Sequence, residues 1–89
     1  MRPRKSVMQF ARAMEDKLRE NDWKGGWSGS AVGWSGSAVG WLMSRVHQEI
    51  SELQHAIDKG APVEEIRREA ADVGNFCMMV AEQYRKPRS

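Results

Sequence analysis

Apolar and polar residues alternate at helical spacing in three separate segments of the chain. Within each segment the apolar residues recur every three or four positions, as they do on one face of an α-helix. The predicted apolar faces are Val7, Phe10, Ala11, Met14 and Leu18 in the first segment; Leu42, Val46, Ile50, Leu53 and Ile57 in the second; and Ile66, Ala70, Val73, Cys77, Val80 and Tyr84 in the third. The sequence therefore predicts an all-α fold built from three helices.

Residues with known preferences for helix ends mark the boundaries of these segments. Ser6 opens a capping-box pattern, so we expect the first helix to begin there and to end near Glu20. The second helix is expected over 41–59, because Gly60 supplies a C-terminal stop. The third is expected to begin after Pro62. The tight turn between the last two helices predicts that they pack antiparallel.

A glycine-rich stretch separates the first two predicted helices. Within it, the seven residues 26–32, Gly-Trp-Ser-Gly-Ser-Ala-Val, recur unchanged at 33–39. The glycine content argues against a helix, and two copies are too few for a repeat architecture. We interpret residues 22–40 as a flexible Gly/Ser/Trp loop that has taken up either a recent duplication or an artificial insertion.

The charged residues divide the chain into an acidic body and two basic tails. Six of the fourteen basic residues lie in the tails 1–5 and 85–89. The body, 6–84, then carries eight basic and twelve acidic side chains, a net charge of −4. Short charged tails usually stay solvated, so we do not expect nucleic acid as a partner. The body is predicted to be one small domain, which at this length is marginal alone.

The remaining composition bears on location and assembly. Cys77 is the lone cysteine, which fits a reducing cytoplasm, and its apolar surroundings predict a buried, inert thiol. No apolar stretch approaches the roughly 20 residues of a membrane span, so no membrane is expected. Residues 76–81 are apolar on every side, which predicts cover by a partner chain. We therefore expect a small antiparallel helical bundle completed by oligomerisation.

Two acidic pairs stand on the predicted second and third helices. Glu49 and Glu52 are three residues apart, as are Glu69 and Asp72, so each pair projects from one helix face. The first pair lies 11 and 8 residues before Gly60, and the second 9 and 12 after it. Antiparallel packing would therefore bring the four carboxylates level. Such a cluster suits Mg²⁺, which prefers oxygen ligands, whereas the alternative is two ordinary solvated helix faces.

The two acidic motifs carry a resemblance to a known family. Gln-Glu-Ile-Ser-Glu-Leu at 48–53 and Glu-Ala-Ala-Asp-Val at 69–73 resemble the signature of the MazG-like all-α nucleoside triphosphate pyrophosphohydrolases, Glu-Glu-x-x-Glu followed by Glu-x-x-Asp. The sixteen residues between Glu52 and Glu69 fall within that family's range, and Trp-Lys-Gly-Gly-Trp at 23–27 is also similar. The resemblance covers about residues 10–84.

The resemblance implies an activity and an assembly. It implies a hydrolase that depends on Mg²⁺, with Mn²⁺ as a substitute, and that cleaves an NTP or dNTP into the monophosphate and pyrophosphate. It further implies a homodimer or a dimer of dimers. The alternative is a non-catalytic helical module of the same fold that binds a nucleotide or a partner chain.

The resemblance also assigns roles to individual residues. The implied metal ligands and catalytic residues are Glu49, Glu52, Glu69 and Asp72. The resemblance implies that Asn75 contacts the sugar or a phosphate. From side-chain chemistry, Lys24 is a candidate to bind a phosphate as a point charge, and Trp23 or Trp27 to stack on the base. The alternatives are an exposed helix residue, a solvated lysine and tryptophans packed on the bundle. Gln48 departs from the family pattern, which has glutamate there, and we interpret it as supporting the ligands from outside.

Overall fold

The computed structural model describes residues 2–22 and 38–84, and its elements of secondary structure are all helices. Helix α1 spans Lys5–Asp22, α2 spans Ala38–Asp58 and α3 spans Val63–Glu82. No strand occurs in these two ranges. Within the described ranges, the predicted all-α class and the three predicted helices are confirmed. None of the three helices is both long and apolar enough to cross a membrane.

The helix boundaries differ from the predicted ones mainly at the start of α2. This helix begins at Ala38, three residues before the expected position, and so takes in the end of the second seven-residue copy. Adding a turn to an existing helix costs little, because only the nucleus is unfavourable. Asp22 and residues 38–40, which were predicted to belong to the loop, are therefore helical. Residues 23–37 lie outside the described ranges.

Helix α3 lies at the centre of the fold, with α1 and α2 packed against it. Asn75 on α3 donates a hydrogen bond to the carbonyl oxygen of Met14, and Arg68 on α3 lies 2.8 Å from Glu20. The order of these contacts shows that α1 runs antiparallel to α3. Between the described parts of α1 and α2, by contrast, no two Cα atoms lie within 8 Å of each other. The three helices therefore form a layer with α3 in the middle.

The buried faces are rotated from the predicted ones. The buried residues are Leu42, Val46, Glu49 and Ala56 on α2 and Ala71, Asn75 and Met79 on α3. Ile50 and Ile57 are instead about half exposed, at 46% and 50%, and Tyr84 is exposed as well. A prediction based only on apolar residues therefore assigned the buried faces of α2 and α3 to the wrong side chains. The small Ala71 and the polar Asn75 occupy the helix contacts, where side-chain size decides how closely two helices approach.

A further expectation about α3 is wrong. Cys77 is exposed, although its apolar neighbours predicted a buried thiol. Met79 is only 2% exposed within its own chain, whereas Cys77, Met78 and Ala81 are exposed, so cover of residues 76–81 by a partner chain stays a prediction. The cause is that α1 and α2 between them cover the face of α3 that includes Met79. Cys77 and Met78 point away from that face.

The turn between α2 and α3 depends on a glycine. Gly60 has φ +69°, the left-handed conformation that disfavours residues with a Cβ. Its N–H donates to the carbonyl of Ile57, and the N–H of Ala61 donates to that of Ala56. These two bonds form a Schellman motif, which satisfies carbonyls at the end of α2. The glycine thereby sets the hairpin that carries the acidic pairs.

Gly60→Ala is expected to lower the free energy of unfolding by about 1 kcal/mol, since a side chain in the left-handed region costs about that much. A thermal melt should show a decrease of about 4–8 °C. Gly40→Ala is the matched control. Gly40 lies inside α2, and a Cβ at this position would meet no atom within 4 Å, so alanine should stabilise the helix. Equal melting temperatures for the two variants would contradict the role of the Gly60 turn.

Candidate metal centre

The antiparallel hairpin brings three of the four predicted carboxylates together. Glu49 from α2 and Glu69 and Asp72 from α3 each offer an oxygen, and these oxygens lie within 4.8 Å of one another. That spacing is close to the about 3–4 Å expected between oxygens on one Mg²⁺. Glu49 is only 4% exposed, and the other two are partly buried. The three form what we call the carboxylate cluster.

Glu52 lies beside the carboxylate cluster but not within it. Its side chain is exposed, one turn along α2 from Glu49, and the two carboxyl groups share a hydrogen bond. The charge of Glu52 also acts on Glu69 and Asp72. The fourth predicted carboxylate is therefore close enough to interact with all three, while its side chain stays exposed.

The electrostatics of the cluster disfavour its full ionisation. Burial, then the hydrogen bond and charge of Glu52, raise the pKa of Glu49 from its ordinary 4.5 to about 7, against the opposing charge of Arg45. Burial also raises the pKa of Glu69 and of Asp72, and the neighbouring carboxylates add to the effect. Negative charge is thus incompletely compensated by the protein. A bound divalent cation would supply the missing compensation, so this donor set fits Mg²⁺.

Two cationic side chains that the sequence analysis missed border the cluster. Arg45 lies 3.5 Å from Glu49 on the same helix, and Lys17 of α1 lies 3.5 Å from Asp72. Arg45 stands four residues before Glu49, a spacing that could have revealed the pair. No sequence spacing could have revealed Lys17, because it lies on α1, far in sequence from Asp72 on α3.

A cleft of about 330 Å³ opens between α2 and α3 next to the cluster. Its walls include Gln48, Glu52, His55, Lys59 and Glu69. This volume lies at the small end of the range for ligand sites, roughly 300–1,000 Å³. The side-chain oxygen of Gln48 accepts a hydrogen bond from Arg45. Gln48 therefore contacts a neighbour of the cluster, in line with its interpretation as a supporting residue.

Of the four predicted substrate-binding residues, the structure describes only Asn75. Asn75 is 2% exposed, and its amide donates to the carbonyl oxygen of Met14 at 3.1 Å. Its own side-chain oxygen is buried without a partner among the described residues. Asn75 is thus not the exposed helix residue of the alternative interpretation, and its contact with a substrate stays a prediction. Lys24, Trp23 and Trp27 lie outside the described ranges.

Comparison with known proteins adds no family to these observations. No family model matches the chain, and neither the curated proteins nor the solved structures contain a match. Its function is therefore inferred from the carboxylate cluster, the adjoining cleft and the motifs that contain them.

Proposed function

We propose that this chain is a Mg²⁺-dependent nucleoside triphosphate pyrophosphohydrolase that acts on NTPs or dNTPs in the cytoplasm. One observation carries the proposal: carboxylates from two antiparallel helices meet within 4.8 Å beside an open cleft. The spacing of the acidic motifs, which resembles that of the MazG-like enzymes, supports the same class. Mn²⁺ would serve as a substitute because it also prefers carboxylate and water ligands.

We propose different roles for the four carboxylates. Glu49, Glu69 and Asp72 would hold the cation, which when bound would neutralise phosphate charge and activate a water. Glu52 is the carboxylate best placed to accept the proton of that water, because it is exposed to the cleft and lies outside the group of three. Hydrolysis breaks the bond between the α- and β-phosphates and releases the monophosphate and pyrophosphate.

A non-catalytic nucleotide-binding or partner-binding module of the same fold is the second candidate. The observation that favours it is the glutamine at position 48, which bonds to Arg45 and adds no charge to the site. A module of this kind would bind a nucleotide with Mg²⁺ and leave it intact.

Pyrophosphate release separates the two candidates. The purified protein is incubated with each common NTP and dNTP and with Mg²⁺, Mn²⁺ or EDTA. The proposed enzyme should release pyrophosphate and the matching monophosphate in equal amounts, only when a divalent cation is present. Binding of a triphosphate without release of either product would instead support the module.

We also propose that the protein works as a homo-oligomer, a homodimer or a dimer of dimers. Met43, Ile50 and Ile57 are spaced seven residues apart on α2 and are 39%, 46% and 50% exposed. At 3.6 residues per turn they form one stripe, on the opposite flank of α2 from Glu52. A seven-residue apolar spacing suits packing against another helix, and a second copy would supply the same stripe.

Ile50→Glu should dissociate this assembly, because it would bury an unpaired charge in the middle of the stripe. Sedimentation velocity is expected to shift from the oligomer to the monomer, with helical circular dichroism retained. Val63→Glu is the control, since Val63 is 66% exposed and lies outside the stripe. The proposal fails if the unmutated protein already sediments as a monomer, or if both variants dissociate it equally.

A further inference from the structure

Trp41, Arg45 and Glu49 form a line on one face of α2. They are four residues apart, so each lies about 6 Å further along the helix axis than the last. Exposure increases along this line: the side chain of Glu49 is 6% exposed, that of Arg45 is 32%, and Trp41 is 55% exposed. The line therefore leads outward from the buried carboxylate cluster to an exposed indole about 12 Å away.

Phe76 of α3 positions both of the outer side chains. The guanidinium carbon of Arg45 lies over the Phe76 ring, 5.0 Å from its centre, which is a cation–π geometry. The rings of Trp41 and Phe76 meet edge to face, with centres 6.4 Å apart and planes at 72°. These contacts hold the guanidinium and the indole in place before any ligand arrives, so little side-chain entropy remains to be lost on binding.

The chemistry along the line matches the parts of a nucleoside triphosphate in order. Arg45 lies 3.5 Å from Glu49, longer than the about 2.7–2.9 Å of a strong charge-assisted hydrogen bond. A cation on Glu49 would weaken this pair. The guanidinium, which also donates to Gln48, would then have further donors to offer to a phosphate. The exposed indole of Trp41 offers an aromatic surface, on which any nucleobase can stack.

We infer that a nucleoside triphosphate lies along this line, with its phosphates between the carboxylate cluster and Arg45 and with its base stacked on Trp41. The inference rests on the proposed function and adds to it the residues that recognise the nucleoside. It assigns the recognition of the base to a helix of the hairpin. It also accounts for a large aromatic side chain that stays half exposed beside an arginine.

Calorimetric titration with two ligands tests this assignment. The ligands are a non-hydrolysable nucleoside triphosphate analogue and inorganic tripolyphosphate, each with Mg²⁺. Trp41→Ala should weaken binding of the analogue by about tenfold or more, the scale of one base–aromatic stack, and leave tripolyphosphate within twofold. Arg45→Gln should weaken both ligands. Val63→Ala, at the exposed start of α3, should change neither.

Two further variants guard against a purely structural effect. Trp41→Phe keeps an aromatic surface and should restore most of the affinity for the analogue. Trp41→Leu keeps an apolar contact with Phe76 but cannot stack, so it should behave like Trp41→Ala. Circular dichroism confirms that each variant is folded.

The outcomes separate this inference from the proposed function. If the unmutated protein binds the analogue and releases pyrophosphate from NTPs, but Trp41→Ala and Trp41→Leu bind the analogue normally, only the inference is overturned. It is equally overturned if these variants weaken both ligands alike. If the unmutated protein binds neither ligand with Mg²⁺, the proposed function and the inference both fall.

Discussion

Asp72→Asn is expected to abolish Mg²⁺-dependent hydrolysis while the protein stays folded. The change removes one of three charged oxygen ligands from the carboxylate cluster. We expect turnover to fall by more than about a hundredfold, because losing residues that merely support metal ligands already costs about 10–100-fold. Asn75 and Arg68 of α3 still contact Met14 and Glu20 of α1, so the docking of α1 should survive. Pyrophosphate release and circular dichroism measure the two effects.

A second variant, Glu52→Gln, distinguishes the proposed proton acceptor from the proposed metal ligands. If Glu52 accepts the proton of the attacking water, its amide variant should also lose hydrolysis, yet it should still be stabilised by Mg²⁺ in a thermal melt. Asp72→Asn should lose that stabilisation as well. Glu64→Gln, an exposed carboxylate in the first turn of α3, is the control for removing one charge. Near-normal turnover in Asp72→Asn at saturating Mg²⁺ would place the catalytic site elsewhere.

The acidic pairs could be predicted from the sequence because their geometry depends on local rules. A spacing of three residues places Glu69 and Asp72 on one helix face, and Gly60 fixes the turn that brings Glu49 opposite them. Both rules act within a single helical hairpin. No long-range packing had to be known, so counting residues from the turn was sufficient to place three carboxylates together.

The buried faces and the cationic neighbours could not be predicted in the same way. Ile50 was assigned to the core because it is apolar, whereas the core position beside it belongs to Glu49. A buried carboxylate breaks the usual pattern of apolar core residues, and such exceptions concentrate at functional sites. Lys17 illustrates the other difficulty. Its contact with Asp72 depends on how α1 docks on α3, which no spacing within one helix encodes.

Glu49→Gln is expected to stabilise the metal-free protein at pH 8 and to remove most of its response to Mg²⁺. Folding raises the pKa of Glu49 to about 7, so at pH 8 the native state must ionise a group that it disfavours. Ionising Glu49 therefore costs free energy in the native state, because each unit by which a pKa is raised disfavours the charged form. Glutamine avoids this cost and can still donate a hydrogen bond to Glu52. Thermal melts in EDTA should show an increase of several degrees.

The raised pKa of Glu49 also predicts how the stability of the metal-free protein changes with pH. Between about pH 4.5 and 7 the native state keeps a proton on Glu49 that the unfolded chain has lost, so the stability of the metal-free protein should decrease as pH rises through this interval. The raised pKa values of Glu69 and Asp72 act in the same direction. Glu49→Gln should flatten the curve, whereas the control Glu64→Gln should leave its slope unchanged.

Mg²⁺ should reverse this trend in the unmutated protein, because a cation binds only deprotonated carboxylates and so stabilises the native state more at pH 8 than at pH 5. Melts of the parent and of Glu49→Gln, each at both pH values with EDTA or Mg²⁺, measure the coupling directly. If the parent becomes more stable between pH 5 and 8 without metal and does not respond to Mg²⁺, the carboxylate cluster is not a cation site. A parent that responds while Glu49→Gln does not would place Glu49 among the ligands.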